Sequence, residues 1–328
     1  MTDRLSAEQW SEYWRKGTIT TFHGRFGQNY DGKVRDYWHG ILDRLPTNAR
    51  IVDLATGNGA IALIAAQHGR RHGKQLEITA VDYAEINPTA LFSNTPFAQD
   101  LRGIRFLSNT PIEATGLPDH ACDLAMSQFG LEYADADAAV AEIARLLKRR
   151  EAVFAAMVHH ADSAIVRQAR EGVEQILACE KSGLHAAIRD LLGRLDKLAA
   201  RGKDAADDER AKALRTAINR ILAGLNQWGR QYGDPGQIVY YIENSMATFN
   251  PRVSGGMSLA DRLAMLRQVA AETEAYKQRM RDLTSAALDD AAIVHLAQQI
   301  QGAGFRIDDD RPFVFEGTHF CHVLSATR

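Results

Sequence analysis

From Arg50 onward, short apolar runs alternate with amphipathic stretches. Residues 51–54, 77–81, 104–107, 122–127 and 152–158 each read as a short buried strand. Between them, residues 60–68 and 137–148 carry apolar positions at helical spacing. Strands alternating with helices predict a parallel sheet with helices on both faces. After His160 the alternation stops. Leu184, Ile188, Leu191, Leu195 and Leu198 recur with helical period, as do Leu214, Ile218, Ile221, Leu225 and Trp228. Further helices are expected around Ile238 to Phe249 and Leu259 to Met280. The α/β pattern then resumes. Asp289 is placed to cap a helix ending at Gly302-Ala-Gly304, and two apolar stretches follow on either side of Gly317, close enough to pair antiparallel.

The expected fold class is therefore α/β: a Rossmann-like, mostly parallel sheet with a C-terminal antiparallel strand pair and a large all-helical insertion. Four segments result. Residues 1–45 form an aromatic-rich helical lid containing Trp10, Tyr13, Trp14, Phe22, Phe26, Tyr30, Tyr37 and Trp38, broken by Gly24, Gly27 and Gly32. Residues 46–161 form the α/β core, 162–286 the helical insertion, and 287–328 the helix and strand pair that complete the core.

Composition narrows the class. The chain has 328 residues, 45% hydrophobic and 24% charged, with a formal net charge of −2. That is ordinary globular composition without the basic surplus of a nucleic-acid binder, so no nucleic-acid partner is expected. No apolar stretch approaches the roughly 20 residues that cross a bilayer. The opening residues lack a signal-peptide pattern, and three scattered cysteines (Cys122, Cys179, Cys321) suit a reducing compartment, so a cytoplasmic location is expected.

The candidate chemistry lies in Ile51-Val-Asp-Leu-Ala-Thr-Gly-Asn-Gly-Ala-Ile-Ala. A strand runs into a glycine turn that opens a helix, which lets a ligand approach the backbone closely. Asp82 ends the next strand, 23 residues after Gly59, where a carboxylate accepts the ribose hydroxyls of an adenosine. Gly57-x-Gly59-x-x-Ala62 also fits the nicotinamide-dinucleotide fingerprint. Against that, Asp53 precedes the glycines, where a carboxylate favours an ammonium group and repels a pyrophosphate. The chain also closes with a strand pair after Gly304-Phe305 rather than a second nucleotide-binding half.

Over about residues 46–161 and 287–328 the chain resembles a class I S-adenosylmethionine-dependent methyltransferase. That family's first motif reads acidic-x-Gly-x-Gly-x-Gly; here Ala55 stands in for the first glycine, ahead of Gly57 and Gly59. The resemblance implies S-adenosylmethionine as cofactor, with Asp53, Ala55, Gly57 and Gly59 around its methionine end, Asp82 on the ribose and Tyr83 beside the adenine. It places Glu113 and Ala114 at the adenine amino group, although Ile112 occupies the family's glycine position. Ser127 and Gln128, ending the fourth strand, would face the transferable methyl.

If the acceptor is a hydroxyl, a base must take its proton. His159 and His160 end the fifth strand at the sheet edge where ligands bind and are the candidate bases, with an activity midpoint expected near 6.5. No metal is expected. Gly69 is read as ending the helix between His68 and His72, and His319 and His322 are read as lying on opposite faces of one strand. Trp228, Tyr232, Tyr240, Tyr241 and Asn244 of the insertion are either acceptor-pocket or helix-packing residues. The expected function is methyl transfer to oxygen or nitrogen of a small-molecule acceptor. Protein or RNA methylation, and a non-catalytic cofactor-binding scaffold, are the alternatives. The insertion is also a candidate homodimer surface.

Overall fold

The structure is a computed structural model that describes residues 4–21 and 28–328. Phe22, Gly24, Phe26 and Gly27 lie outside the described residues. Contacts divide the chain into two units: residues 1–166 with 285–328, and residues 167–284.

The first unit is a seven-stranded sheet. It contains β1 (Arg50–Leu54), β2 (Glu77–Val81), β3 (Ile104–Leu107), β4 (Leu124–Gln128), β5 (Val153–Val158), β6 (Arg306–Phe315) and β7 (Thr318–Thr327). The order is β3-β2-β1-β4-β5-β7-β6. The first five strands run parallel, β7 runs antiparallel to β5, and β6 antiparallel to β7. Helices α1 (Ala7–Trp14), α2 (Gly32–Asp43), α3 (Ala60–His72), α4 (Pro88–Leu91), α5 (Ala98–Arg102) and α6 (Ala136–Leu146) precede or connect these strands.

The central strands are continuous apolar runs because both their faces are covered. Val52, Leu54, Val81, Ala125, Phe154 and Ala156 join Val140, Ile143 and Leu146 of α6 in one core cluster. Each such large side chain removed from water contributes about 1.5–3 kcal/mol. The register sets Leu54 level with both Val81 and Ser127. The tips of β1, β2 and β4 therefore end together, and the loops leaving them meet.

Four local differences from the sequence pattern have physical causes. Helix α3 does not stop at Gly69 but continues to His72, with Gly73 in the left-handed conformation closing it. Gly69 serves packing: a Cβ there would stand 3.0 Å from the Lys74 carbonyl and 3.1 Å from Leu76. Strand β6 is a ten-residue element that runs well beyond the apolar stretch before Gly317, and its mostly polar middle and Pro312 are tolerated because it is the edge strand. In β7 the pairing slips between Phe313–Cys321 and Val314–His319. That bulge turns His319 and His322 to the same face, against the opposite-face expectation. There the His160 ring lies 4.8 Å from His319 and 6.1 Å from His322. Finally, β4 begins at Leu124, with Cys122 making only an isolated bridge to Leu147.

The second unit is helical. Of α7 (Ala164–Lys181), the residues from Arg167 belong to it, followed by α8 (Leu184–Ala199), α9 (Glu209–Gly229), α10 (Gly236–Met246), α11 (Pro251–Ser254) and α12 (Leu259–Ala286), which it contains up to Thr284. Its core gathers Leu184, Ile188, Leu191, Ile218, Leu225, Ile238, Tyr241, Leu266 and Val269. The aromatic residues of this unit serve its packing. Tyr241 is buried and stacks on His185 at 4.5 Å. Tyr240 donates to Glu272, Tyr232 to Glu174, and the Asn244 amide to the Tyr240 carbonyl. Back in the first unit, α13 (Asp290–Gly302) is capped by Asp289, whose carboxylate accepts the Ala292 N–H at 2.8 Å.

Two residues of the first unit depend on one another. Ala55 adopts φ +55°, which costs a residue with a Cβ roughly 1–2 kcal/mol. Its Cβ would lie 2.3 Å from a Cβ at Gly130. Gly130→Ala is therefore expected to destabilise the fold by about 1–3 kcal/mol through overpacking. Adding Ala55→Gly removes the clash and the left-handed strain together. Urea unfolding of both variants checks this: equal midpoints for the single and double variants would refute the contact.

Candidate functional site

The turn after β1 is built around buried carboxylates. Asp53 is fully buried, and its Oδ2 accepts the Thr56 hydroxyl at 2.5 Å and the Ala62 N–H at 3.2 Å. It thus ties the strand end to the first turn of α3. Oδ1 of Asp53 is buried without a hydrogen-bond partner. Burial pushes this carboxyl up to about 8, with the Asp82 charge adding to the shift. The resemblance put Asp53 beside a ligand ammonium; its observed contacts are with the turn itself.

Asp82, one residue past β2, accepts the Gly57 N–H at 2.6 Å through Oδ2 and the Ala84 N–H at 2.8 Å through Oδ1. Burial raises it to about 6. Each oxygen retains a second lone pair, so the carboxylate still has acceptor capacity for two hydroxyls. Gly57 and Gly59 both have positive φ, +55° and +86°. A Cβ on Gly57 would stand 2.4 Å from the Trp14 ring, and one on Gly59 2.9 Å from Phe106.

The N-terminal segment is fastened to this edge. The Asn58 amide donates to the Trp14 and Thr18 carbonyls at 2.9 and 2.7 Å, and Ser11 Oγ accepts the Glu85 N–H at 2.8 Å. Trp38 Nε1 donates to Gln128 Oε1 at 2.6 Å. Gln128 thereby faces α2. Ser127 is buried and donates to the Leu54 carbonyl at 2.9 Å, bracing neighbouring strand ends.

Glu113 sits on the turn Ile112–Ala114 after β3, and its Oε1 accepts the Asp135 N–H at 2.9 Å. The loop beyond it is held by buried Glu142 of α6, which accepts both the N–H and hydroxyl of Thr115 at 2.8 and 2.6 Å. Ala114 and Tyr83 are exposed, Tyr83 by 52%. Asp53, Ala55, Gly57, Gly59, Asp82, Tyr83, Glu113, Ala114, Ser127 and Gln128 all belong to the carboxyl ends of β1 to β4 or the loops leaving them, where open α/β sheets bind ligands.

The two histidines after β5 differ. His160 is engaged on both sides: Nδ1 accepts the Asp162 N–H at 3.1 Å and Nε2 lies 3.0 Å from Asp290 Oδ1. His159 is buried, stacks flat on Phe129 at 4.3 Å, and has no partner for Nδ1. Burial lowers His159 to about 3, far from the ordinary imidazole range. An activity midpoint near 6.5 therefore does not belong to His159. Sequence reading passed over Glu132, on the turn Leu131–Tyr133 after β4. It is buried; its Oε1 accepts the His159 N–H at 2.7 Å and its Oε2 has no hydrogen-bond partner. Burial raises it to about 7. The one available signal was its place two residues after Phe129-Gly130 at a strand end.

The family described as "Methyltransferase domain" matches residues 52–155, the stretch from β1 into β5. Residues 52–155 thus form a methyltransferase domain. No curated protein matches. Among solved structures, the chain is similar to geranyl diphosphate methyltransferase in complex with geranyl diphosphate and sinefungin, at 14% identity and TM-score 0.33, covering 39% of this chain and 45% of that one. It is similar to the Streptomyces coelicolor A3(2) geranyl diphosphate C-methyltransferase at 13% identity and TM-score 0.36, covering 47% and 65%. It is also similar to the Burkholderia thailandensis 1,6-didemethyltoxoflavin-N1-methyltransferase at 22% identity and TM-score 0.31, covering 40% and 55%. The chain thus spans between 45% and 65% of the length of these proteins.

The donor set of the methyltransferase domain suits the cofactor. A two-oxygen acceptor lies at the β2 tip beside a glycine turn, with the orphaned Asp53 Oδ1 behind it. The turn also packs against Trp14, which yields a test. Gly57→Ala is expected to destabilise the fold, because it imposes both positive-φ strain and a clash with the indole. Trp14→Ala removes the second cost, so a double-mutant cycle in urea should give a coupling of about 0.5–3 kcal/mol. Strict additivity would refute the contact.

Proposed function

We propose that this chain transfers a methyl group from S-adenosylmethionine to oxygen or nitrogen of a small-molecule acceptor. The observation that carries the reading is the buried Asp82 carboxylate at the β2 tip, bonded to the Gly57 N–H inside the methyltransferase domain. When bound, the cofactor supplies an electrophilic methyl on a sulfonium. In this reading Asp82 takes the ribose hydroxyls, and Glu113 and Tyr83 flank the adenine. The turn from Ala55 to Gly59 carries the methionine end, and Asp53 holds that turn in shape. The near-neutral charge supports a small acceptor over RNA.

Little acid–base machinery is needed for a nucleophile that is already good; holding the reactants in line in a dry site does most of the work. Helix α1, tied to the strand tips through Ser11, Trp14 and Asn58, is the proposed cover that keeps water out. For a hydroxyl acceptor we assign the base to Glu132 rather than to either histidine. Its unpaired Oε2 is a free acceptor, whereas His160 has both ring nitrogens occupied and His159 is too weakly basic. The helical unit, which exposes Val239, Val253 and Met257, is the proposed acceptor-binding element or homodimer surface; sedimentation of the full chain decides the second role.

Asp82→Asn is expected to weaken S-adenosylmethionine binding by about 1–3 kcal/mol, the range of a charge-assisted hydrogen bond. Calorimetry showing unchanged affinity would remove Asp82 from the ribose. Radiolabelled methyl transfer across an acceptor panel tests the activity itself, and a chain that binds cofactor but methylates nothing would be a scaffold.

For a hydroxyl acceptor, a base works when deprotonated, so turnover should rise with pH through about 7, where burial holds Glu132. Glu132→Gln should abolish that limb and lower the rate by about 10²–10⁴-fold. A limb that persists in Glu132→Gln would transfer the role to another group.

A further inference from the structure

Helices α2 and α3 each present a pair of polar side chains one turn apart on neighbouring faces. On α2 these are His39 and Asp43; on α3 they are His68 and His72. Residues four apart lie over one another on a helix, so the two pairs meet across the helix–helix contact. The continuation of α3 through Gly69 makes this possible, because a helix ending at Gly69 would leave His72 on a loop.

One ligand atom from each of Asp43, His68 and His72 lies within 4.8 Å of the other two. His68 is the anchor. It is 2% exposed, and neither ring nitrogen makes a hydrogen bond. Nε2 nevertheless stands 3.3 Å from Asp43 Oδ1. Two atoms coordinated tetrahedrally at about 2.0–2.1 Å sit about 3.4 Å apart. The spacing is thus that of two ligands converging on a common ion, while the angles are not those of a hydrogen bond. The centre of the His72 ring is 4.4 Å from that of His68, and the half-buried His39 ring lies 5.0 Å from His68.

A buried imidazole with two idle nitrogens is costly unless something uses them. We propose that Asp43, His68 and His72 form a binding site for one divalent transition ion of the zinc, nickel or cobalt type. Water or His39 would complete its coordination. Two imidazoles and one carboxylate suit such ions and not calcium or magnesium, which prefer all-oxygen shells. The positive charges nearby are partly committed: Lys74 Nζ donates to the Leu42, Asp43 and Leu45 carbonyls that close α2, at 2.8, 2.9 and 2.8 Å. Asp43 and His72 are exposed, so an ion enters from solvent without opening the fold.

The site lies at the far end of α3 from the glycine turn. With about 1.5 Å of rise per residue, the helix separates His72 from Ala60 by about 18 Å. An ion here would clip α2 to α3, not take part in methyl transfer.

The test uses the full chain without an affinity tag. Calorimetric titration with zinc should show one ion per chain, and cobalt should give the visible bands of a low-symmetry site. Zinc should also raise the thermal midpoint. His72→Ala and Asp43→Asn change exposed side chains and leave buried His68 in place, so they should fold. Each is expected to weaken zinc binding by at least about tenfold, and the double variant to lose both binding and the thermal shift. Affinity for S-adenosylmethionine should be unchanged in all three, which separates this site from the cofactor reading. A wild-type chain that binds no zinc at about 100 µM, or a double variant that binds it as tightly, would overturn the proposal.

Discussion

The bond from Gly57 N–H to the Asp82 carboxylate joins the turn after β1 to the tip of β2. Parallel strands share no hairpin, so their carboxyl ends are held in register only by ladder bonds and by such side-chain bridges. Asp53 performs the complementary task inside one loop, fixing Thr56 and the first turn of α3. With these two carboxylates in place the glycine turn has a single shape. Where Ala55, Asn58 and Trp14 can sit then follows from it.

That shape is defined by close approaches. Gly57 lies against Trp14, Gly59 against Phe106, and Gly130 against Ala55. In each pair a glycine on one element gives way to a bulkier side chain on another. The departure from glycine at position 55 is thus accommodated across space, by Gly130 on the loop after β4.

Burial also sets the chemistry of the strand ends. Asp53, Asp82 and Glu132 are all pushed above the usual carboxylate range, and His159 is pushed below the usual imidazole range. Desolvation is the first cause in every case, because it disfavours whichever form is charged. These four groups are kept from water, and that strengthens any charge interaction made with them.

The sequence by itself determined the order of strands and helices, the glycine turn, Asp82 at the second strand end and the closing antiparallel pair. These follow from local periodicity and from conformations that few residues adopt, and both are written into neighbouring positions. Only the tertiary structure decided which side chains are spent on one another. His160 is engaged by Asp162 and Asp290, Glu132 is buried against His159, and Ser127 bonds to Leu54. Gly69 looks like a helix stop until Leu76 packs on it, and His319 and His322 look opposed until a bulge turns them together. The physical reason is the same throughout: a side chain's solvation and partners depend on residues distant in sequence, and no local pattern encodes them.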